Sequence, residues 1–425
     1  MNRLVLIGNG FDLAHGLPTS YEHFINWYWD QRMYGFYQPD KPNSKVSEDI
    51  LCKLEISSNE ETWNTFAFRH NYFRANPEFN LEYVGKEVIN KIRQDELNFH
   101  FTPNTLFKRI IEGVESRTWA GIEQDYYDLL KEYAFRDKKV NPKVPPIKEL
   151  NRQLRYIQKL LVEYLKEAAS KEVQIIPSIS NAIYEPIHEE DIAIANKKYI
   201  QGHKEYWEHH PERDEELREI VKKYELDTTQ CDGDVRCWRE DQPNGTTIYP
   251  PEFLLPKNIM LLNFNYTNTA EGYYRTRNSF DEIHIHGNLN DNNSIIFGYG
   301  DELDEKFKEL KEHKNNACLS HIKSICYLNA PEYRKVLSFI ESEPFQVLIM
   351  GHSCGNSDRT LLNTIFEHPN CASIKPYYYE KEDGTDNYTE LVQHISRNFN
   401  DMKLMRDRVV NKTQCEPLVN KNKTQ

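Results

Sequence analysis

Arg3-Leu-Val-Leu-Ile-Gly-Asn-Gly-Phe-Asp12, running on into Leu-Ala-His-Gly-Leu-Pro-Thr-Ser20, decides the fold class. Leu4 to Ile7 is an apolar run too short for a useful helix and reads as a buried strand. Gly8 and Gly10 break it where the backbone must turn tightly or approach something closely. A strand that ends in a glycine turn and opens a helix is how α/β folds gather backbone N–H groups around a phosphate. Leu13 stands where G-x-G-x-x-G needs its third glycine, and no acidic-ended second strand follows about 20 residues on. An ordinary dehydrogenase site is therefore disfavoured. Two readings stay open: a pocket for some other nucleotide-type ligand, or a tight strand-to-helix turn with no ligand.

At 425 residues the chain is expected to form two or more structural units, given roughly 100–200 residues per domain. Charged residues make up 28% and hydrophobic ones 39%, a soluble globular composition. A formal charge of −13 argues against a protein that coats nucleic acid. The eight cysteines include no C-x-x-C pair, so no disulfide framework is expected. Met1-Asn-Arg3 runs straight into the first strand, leaving no room for a signal peptide. No apolar run approaches the ~20 residues of a membrane span. The expected location is the cytoplasm.

Along the chain, Ser20 to Trp29 is aromatic-rich and helical in pattern, and Gln38 to Asn59 reads as a polar loop. Helical patterns dominate from Thr62 to Tyr133, with Ile122, Tyr126, Leu129, Leu130 and Tyr133 on one face. Asn141-Pro-Lys-Val-Pro-Pro146 breaks the chain before an amphipathic helix carrying Ile147, Leu150, Leu154, Ile157, Leu160, Leu161 and Tyr164. His203 to Gly245 is polar and short of aliphatics, an expected excursion. Short apolar strands then return: Ile259–Leu262, Ile283–Ile285, Ser294–Phe297 and Phe345–Met350, with a more exposed one at Ser373–Tyr379. Asp301–Ser342 and Asp358–His368 look helical between them. The expected fold class is α/β, a mostly parallel Rossmann-like sheet flanked by helices. Residues 1–25 and 257–400 would form it, 26–256 would be a mainly helical insertion, and 401–425 a loosely held polar tail.

Three further stretches sit where these strands end, the place where open α/β sheets bind ligands. Asn263-Phe-Asn-Tyr-Thr-Asn-Thr269 packs three amides and two threonine hydroxyls beyond a strand, able to hydrogen-bond a ribose or position a water. An Asx-rich turn satisfying its own backbone is the alternative. His284-Ile-His-Gly287 offers two histidines two residues apart, one face of a strand. A metal pair lacks a third ligand. A general base at His286, with Gly287 letting a ligand approach, fits better, beside the plain option of structural histidines. Gly351-His-Ser-Cys-Gly355 matches the G-x-S-x-G nucleophile elbow, for which only His368 and His394 lie downstream. Gly351, Ser353 and Asp358 can equally form a small-residue turn lining a nucleotide pocket. His313, Cys318, His321 and Cys326, and the pair Cys231 and Cys237, lack the compact spacing of structural zinc sites.

Taken together, these stretches resemble the AbiH family of bacterial phage abortive-infection proteins. The residues that carry the resemblance are Leu6-Ile-Gly-Asn-Gly-Phe-Asp-Leu-Ala-His-Gly-Leu-Pro-Thr-Ser20, Trp119-x-x-Ile-Glu123, Asn263–Asn268, Ile283–Gly287, Phe297-Gly-Tyr-Gly300 and Gly351–Asp358. More distantly, the turns look like those of sirtuin-like NAD-binding domains used by antiphage NAD hydrolases. That resemblance implies that Gly8, Asn9, Gly10, Phe11 and Asp12 meet a dinucleotide, with Asn263, Tyr266, Gly287, Gly351, Ser353 and Asp358 lining the pocket. It implies that Asn265 and His286 do the chemistry, with NAD⁺ as substrate and no metal. The sirtuin Gly-Ala-Gly turn is Gly-Asn-Gly here, and Thr267 replaces the Asp of Asn-Tyr-Asp. The paired Cys-x-x-Cys module of deacetylase sirtuins is missing, which implies no protein deacetylation. The expected protein is an antiphage NAD⁺ hydrolase triggered by a phage component or partner protein, able to self-associate. A non-catalytic sensor or toxin scaffold acting through the helical insertion is the alternative, and a serine hydrolase at Ser353 a third.

Overall fold

The computed structural model describes residues 1–34, 46–56, 99–111, 119–135, 146–170, 173–201, 256–273 and 279–419. The strands, in chain order, are β1 (Asn2–Ile7), β2 (Val46–Glu48), β3 (Cys52–Ile56), β4 (Phe99–Pro103), β5 (Asn258–Asn263), β6 (Ser279–His284), β7 (Phe345–Met350) and β8 (Cys371–Tyr377). The chain divides into two compact units. One comprises Met1–Gly16, Glu172–Ile295 and Tyr327–Gln425; the other comprises Leu17–Lys171 and Ile296–Cys326.

The first unit is built on a five-stranded sheet ordered β6-β5-β1-β7-β8, parallel throughout. Leu4–Ile7, Met260–Leu262 and Val347–Met350 are apolar without alternation because both faces of a parallel sheet are covered. Val5, Ile7, Ile259, Leu261, Leu348 and Met350 pack on one face against Phe11, Ala270 and the helix Pro177–Tyr184. That face carries a polar ladder that the apolar pattern hides. Arg3, Gln346 and Ser373 are register neighbours on β1, β7 and β8. Buried Arg3 donates to Gln346 Oε1 at 2.9 Å and to the Ile183 carbonyl at 2.9 Å. It thereby sets a cation at the C-terminal end of a helix, where the macrodipole favours one. Gln346 passes the chain of bonds to Ser373 Oγ at 3.2 Å, and Lys375 pairs with Asp191 at 2.9 Å.

Three expectations need correction here. The strand expected at Ser373–Tyr379 runs from Cys371 to Tyr377 and is buried along its whole length. The reason lies in the chain end, read as a loose tail. Residues 402–408 form a helix, Ile374 bridges to Val409 and Tyr378 to Pro417, and Val410, Cys415 and Leu418 are buried. An edge strand is thus covered rather than left unpaired. Ser294–Phe297 is no strand: Ile295 and Phe297 are buried, but only Tyr299 beyond it makes a β-bridge.

The described residues of the second unit are mainly helical. Its described helices include Tyr21–Tyr34, Thr105–Ile111, Trp119–Phe135, the 22-residue Ile147–Ala168 and Glu305–Glu312. It also holds an antiparallel sheet, β2-β3-β4, which the sequence reading missed. The supposed loop at 38–59 contains β2 and β3, joined where Asp49 Oδ1 accepts the N–H groups of Leu51 and Cys52 at 2.8 and 2.9 Å. β4 lies inside the stretch read as helical. Most of the chain break at 141–146, the excursion at 203–245 and the cysteines 231 and 237 lie outside the described residues. No helix among the described residues is long and apolar enough to cross a membrane.

Candidate functional site

From β1 the chain steps to β5 and on to β6 at one edge; β7 and β8 then lie on the other side of β1. The sheet order therefore reverses at β1, and ligands of open parallel sheets bind beyond the C-terminal strand ends at such a reversal. The turns Gly8–Asp12, Asn263–Thr269, Ile285–Gly287 and Gly351–Asp358 all leave strands at that end.

The first turn is held by the fourth. Gly8 N–H donates to the Met350 carbonyl at 3.2 Å and Gly10 N–H to the Gly351 carbonyl at 2.9 Å. A Cβ on Gly8 would lie 2.5 Å from His352 Cα, and one on Gly10 2.9 Å from Gly351 Cα. Gly351 itself has φ +77, the left-handed region that glycine adopts without penalty. The close approach that the glycines permit is thus backbone against backbone. Asn9 opens the short helix Asn9–Ala14 and is half-buried, while Phe11 is buried against the rings of His15 and Tyr273.

The second turn surrounds Asp12. Thr267 Oγ1 donates to Asp12 Oδ2 at 2.6 Å, and Thr269 Oγ1 lies 3.3 Å from Thr267 Oγ1. The other carboxylate oxygen, Oδ1, is buried with no hydrogen bond. Burial pushes the Asp12 carboxyl up to about 6, against the hydrogen bond from Thr267. Asn265 donates its side-chain amide to the Gly8 carbonyl at 2.9 Å, and its backbone N–H to Asn263 Oδ1 at 2.9 Å. Asn263, fully buried, spends its amide on the Thr267 carbonyl and Glu282. Its geometry is that of an Asx turn. Tyr266 is half-buried, and its carbonyl accepts from Leu289 N–H at 3.0 Å.

The two histidines of the third turn hold different carboxylates. His284, the last residue of β6, sets Nε2 3.3 Å from Glu282 Oε1. His286 lies in the turn beyond, with Nε2 3.2 Å from Asp358 Oδ1 and 3.2 Å from the Tyr327 hydroxyl. Its ring is buried, edge-on to Phe264 and parallel to Tyr327. Asp358 is shared: its Oδ2 lies 3.5 Å from His352 Nε2. His352 Nδ1 accepts the Cys354 N–H at 3.1 Å, so the hydrogen-bond network assigns its proton to Nε2, facing Asp358. His286–Asp358–His352 is therefore one connected trio. Gly287 has φ +81, and a side chain there would run into the Ser294 carbonyl, so its openness serves the loop 288–294.

Ser353 is exposed, and the residue in the left-handed conformation is Cys354, at φ 53. His394 Nδ1 donates to the Ser353 backbone carbonyl at 2.9 Å, and no hydrogen bond joins the Ser353 hydroxyl to a histidine among the described residues. Burial raises the Cys354 thiol far above the reactive range. Among the described residues, no cluster of three or more His, Cys, Asp or Glu is placed to hold a metal ion.

His352, Glu282 and Tyr327 escape a reading based on strand-end motifs alone. His352 stood inside the quoted Gly351–Asp358 stretch, and its spacing of six from Asp358 was the available signal. Glu282 shares a strand face with His284 by two-residue parity, which was also legible. Tyr327 carried no signal. The motifs Trp119–Glu123 and Phe297–Gly300 meet in the helical unit instead. Trp119 Nε1 donates to the Thr19 carbonyl at 2.9 Å, and Glu123 accepts from Gly298 N–H at 3.2 Å and from Lys323 Nζ at 2.9 Å.

Compared with known families, residues 4–379 match the model described as Bacteriophage abortive infection AbiH. No curated protein and no solved structure matched the chain.

Proposed function

The chain belongs to the AbiH family of bacteriophage abortive infection proteins, and from that premise we propose that its parallel-sheet unit binds NAD⁺ or a related nucleotide and hydrolyses it to arrest the infected cell. The observation that carries this reading is the gathering of Asn265, His286 and Asp358 at the C-terminal strand ends, where the sheet order reverses. The resemblance of these turns to sirtuin-like domains supports NAD⁺ as the ligand. In the reaction the bond from C1′ of the ribose to the nicotinamide nitrogen breaks, and the electron pair leaves with nicotinamide. Water adds to the oxocarbenium-like carbon and gives up a proton. His286 accepts that proton, and the Asp358 carboxylate at 3.2 Å stabilises the imidazolium that results. Asn265, held through its backbone and its amide, orients the ribose or the water. Half-buried Asn9 stands where other dinucleotide turns carry a small residue and sets the ligand preference, whereas buried Asp12 holds the turn through Thr267.

The test is NAD⁺ consumption by purified protein, with and without phage lysate as the source of the trigger. His286→Ala should lower turnover on the order of 10²–10⁴-fold. Wild-type protein that neither binds nor consumes NAD⁺ under both conditions would sink the proposal.

A scaffold acting through its helical unit, as a sensor of a phage component or partner protein, is the second reading. It draws support from Gly10 N–H and the Asn265 amide, both already bonded within the protein. Folded Asn265→Ala and His286→Ala variants that still protect cells against phage would favour it.

A further inference from the structure

Around Asn265 the hydrogen bonds close into a ring. Asn263 Nδ2 donates to Glu282 Oε1 at 3.1 Å, and Asn263 Oδ1 accepts from Asn265 N–H at 2.9 Å. The Asn265 carbonyl accepts from His284 Nδ1 at 3.2 Å, and His284 Nε2 returns to Glu282 Oε1 at 3.3 Å. The fold dictates this closure. Asn263 and His284 are register partners on parallel β5 and β6, and Glu282 precedes His284 by two residues on the same strand face. The turn after β5 brings Asn265 back over that pair.

The chemistry of the ring imposes a proton count. A carbonyl oxygen and a carboxylate oxygen are both acceptors, and His284 sets one nitrogen against each. A neutral imidazole carries one N–H and can satisfy only one of them; the other contact becomes lone pair against lone pair. The ring is complete only with His284 as imidazolium.

We infer that Glu282 and His284 are positioning residues, forming a proton-operated latch that fixes the Asn265 backbone and, through the Asn265 amide, the Gly8 turn. The inference rests on the reading that Asn265 serves a bound ligand. The charged groups around His284 favour the closed form. Burial of the ring works against its charge, but Glu282, the Asn265 carbonyl and Glu271 outweigh that and raise the His284 pKa above the ordinary histidine value. Asp12 is the other titratable group that senses it, being held lower by the His284 charge. A raised pKa means that the latch is shut at and below the ordinary histidine pKa of about 6.5 and opens as pH rises through the elevated value.

The experiment is a pH titration of the full-length protein by nuclear magnetic resonance, without nucleotide. The histidine rings and the Asn265 backbone amide are labelled and followed together. The His284 ring and the Asn265 amide should share one midpoint, above that of an exposed histidine. Glu282→Gln keeps the shape and an acceptor oxygen but removes the charge, and should lower both midpoints together by about one pH unit or more. A flat Asn265 amide across the His284 titration overturns the latch. So does a His284 midpoint unmoved by Glu282→Gln. His284→Phe should abolish the Asn265 titration in this range, and persistence of it also overturns the inference. Because the titration needs no ligand, it reads the latch whether or not NAD⁺ is consumed. Where NAD⁺ is consumed, the pH profile of turnover should move with the same midpoint in Glu282→Gln.

Discussion

Gly351→Ala separates a glycine required for backbone packing from one required only for its conformation. Gly351 and Gly384 have nearly the same backbone, φ +77 and +79, but a Cβ on Gly384 meets nothing within 4 Å. A Cβ on Gly351 would lie 2.5 Å from the Gly10 carbonyl carbon and 2.9 Å from Gly10 Cα. Alanine in the left-handed region costs about 1–2 kcal/mol, offset by about 0.4–1 kcal/mol from the stiffer unfolded chain. Gly384→Ala should therefore cost about 1 kcal/mol. Gly351→Ala adds overpacking of two backbones, about 1–3 kcal/mol, and strains the Gly10 N–H bond to the Gly351 carbonyl, worth about 0.5–1.5 kcal/mol. The expected excess over Gly384→Ala is about 2–4 kcal/mol. Because the chain holds two compact units, one global transition would blur the effect. Hydrogen exchange of the β1 and β7 amides, followed against urea, reads the local value. If the two variants agree within about 0.5 kcal/mol, the turns are not held backbone to backbone, and Gly8 and Gly10 return to the role of ligand-facing glycines.

Asp12 makes stability depend on pH. Its folded pKa is raised from 3.8 to about 6, so the folded state holds the proton longer than the unfolded one, and stability falls as pH rises through that window. The loss is on the order of 2–3 kcal/mol, flat above it, and Asp12→Asn should remove the slope; superimposable profiles of urea midpoint against pH would exclude a buried protonated carboxyl there. In the helical unit, Glu123→Gln removes the carboxylate 2.9 Å from Lys323, which is 2% exposed, and should cost about 3–5 kcal/mol. The double change Glu123→Leu with Lys323→Met should recover most of that in the same unfolding assay. A single variant no worse than the double would mean that the pair is solvated. Ser353 should resist fluorophosphonate labelling, since His394 meets its backbone carbonyl rather than its hydroxyl. Labelling lost in Ser353→Ala would restore the hydrolase reading.

The parallel sheet was legible because burial on both faces leaves runs such as Leu4–Ile7 and Phe345–Met350 with no other reading. The edges were not. Ser373–Tyr379 alternates with Lys375 and a proline, so it reads as half-exposed, yet Lys375 is buried by pairing with Asp191 from a segment 184 residues away. β2 and β3 are three and five residues long, and their pairing depends on Asp49, whose Asx turn looks like any polar loop residue in sequence. The chain end read as a tail because its apolar residues are sparse. Four of them, Met405, Val410, Cys415 and Leu418, are buried and dock it.

At the candidate site the residue types were legible and their partners were not, and the partners decide the roles. Gly8-Asn-Gly10 has the composition of a phosphate turn, but what it meets in the chain is Gly351, brought alongside by the β1–β7 register. With Gly10 N–H already bonded, anion binding by the free backbone of this turn is a weak source of affinity, and any nucleotide must be gripped by side chains. The same strand ends hold two histidine–carboxylate pairs: His284 with Glu282 and His286 with Asp358. The pairs differ in proton count. His284 faces acceptors on both nitrogens and is completed by a second proton. His286 shares Asp358 with His352, whose only proton is directed at the same carboxylate. Asp358 is thus supported from one side by His352, which also holds the Cys354 N–H. One strand end therefore carries a histidine that holds a loop and, two residues on, a histidine that holds Asp358.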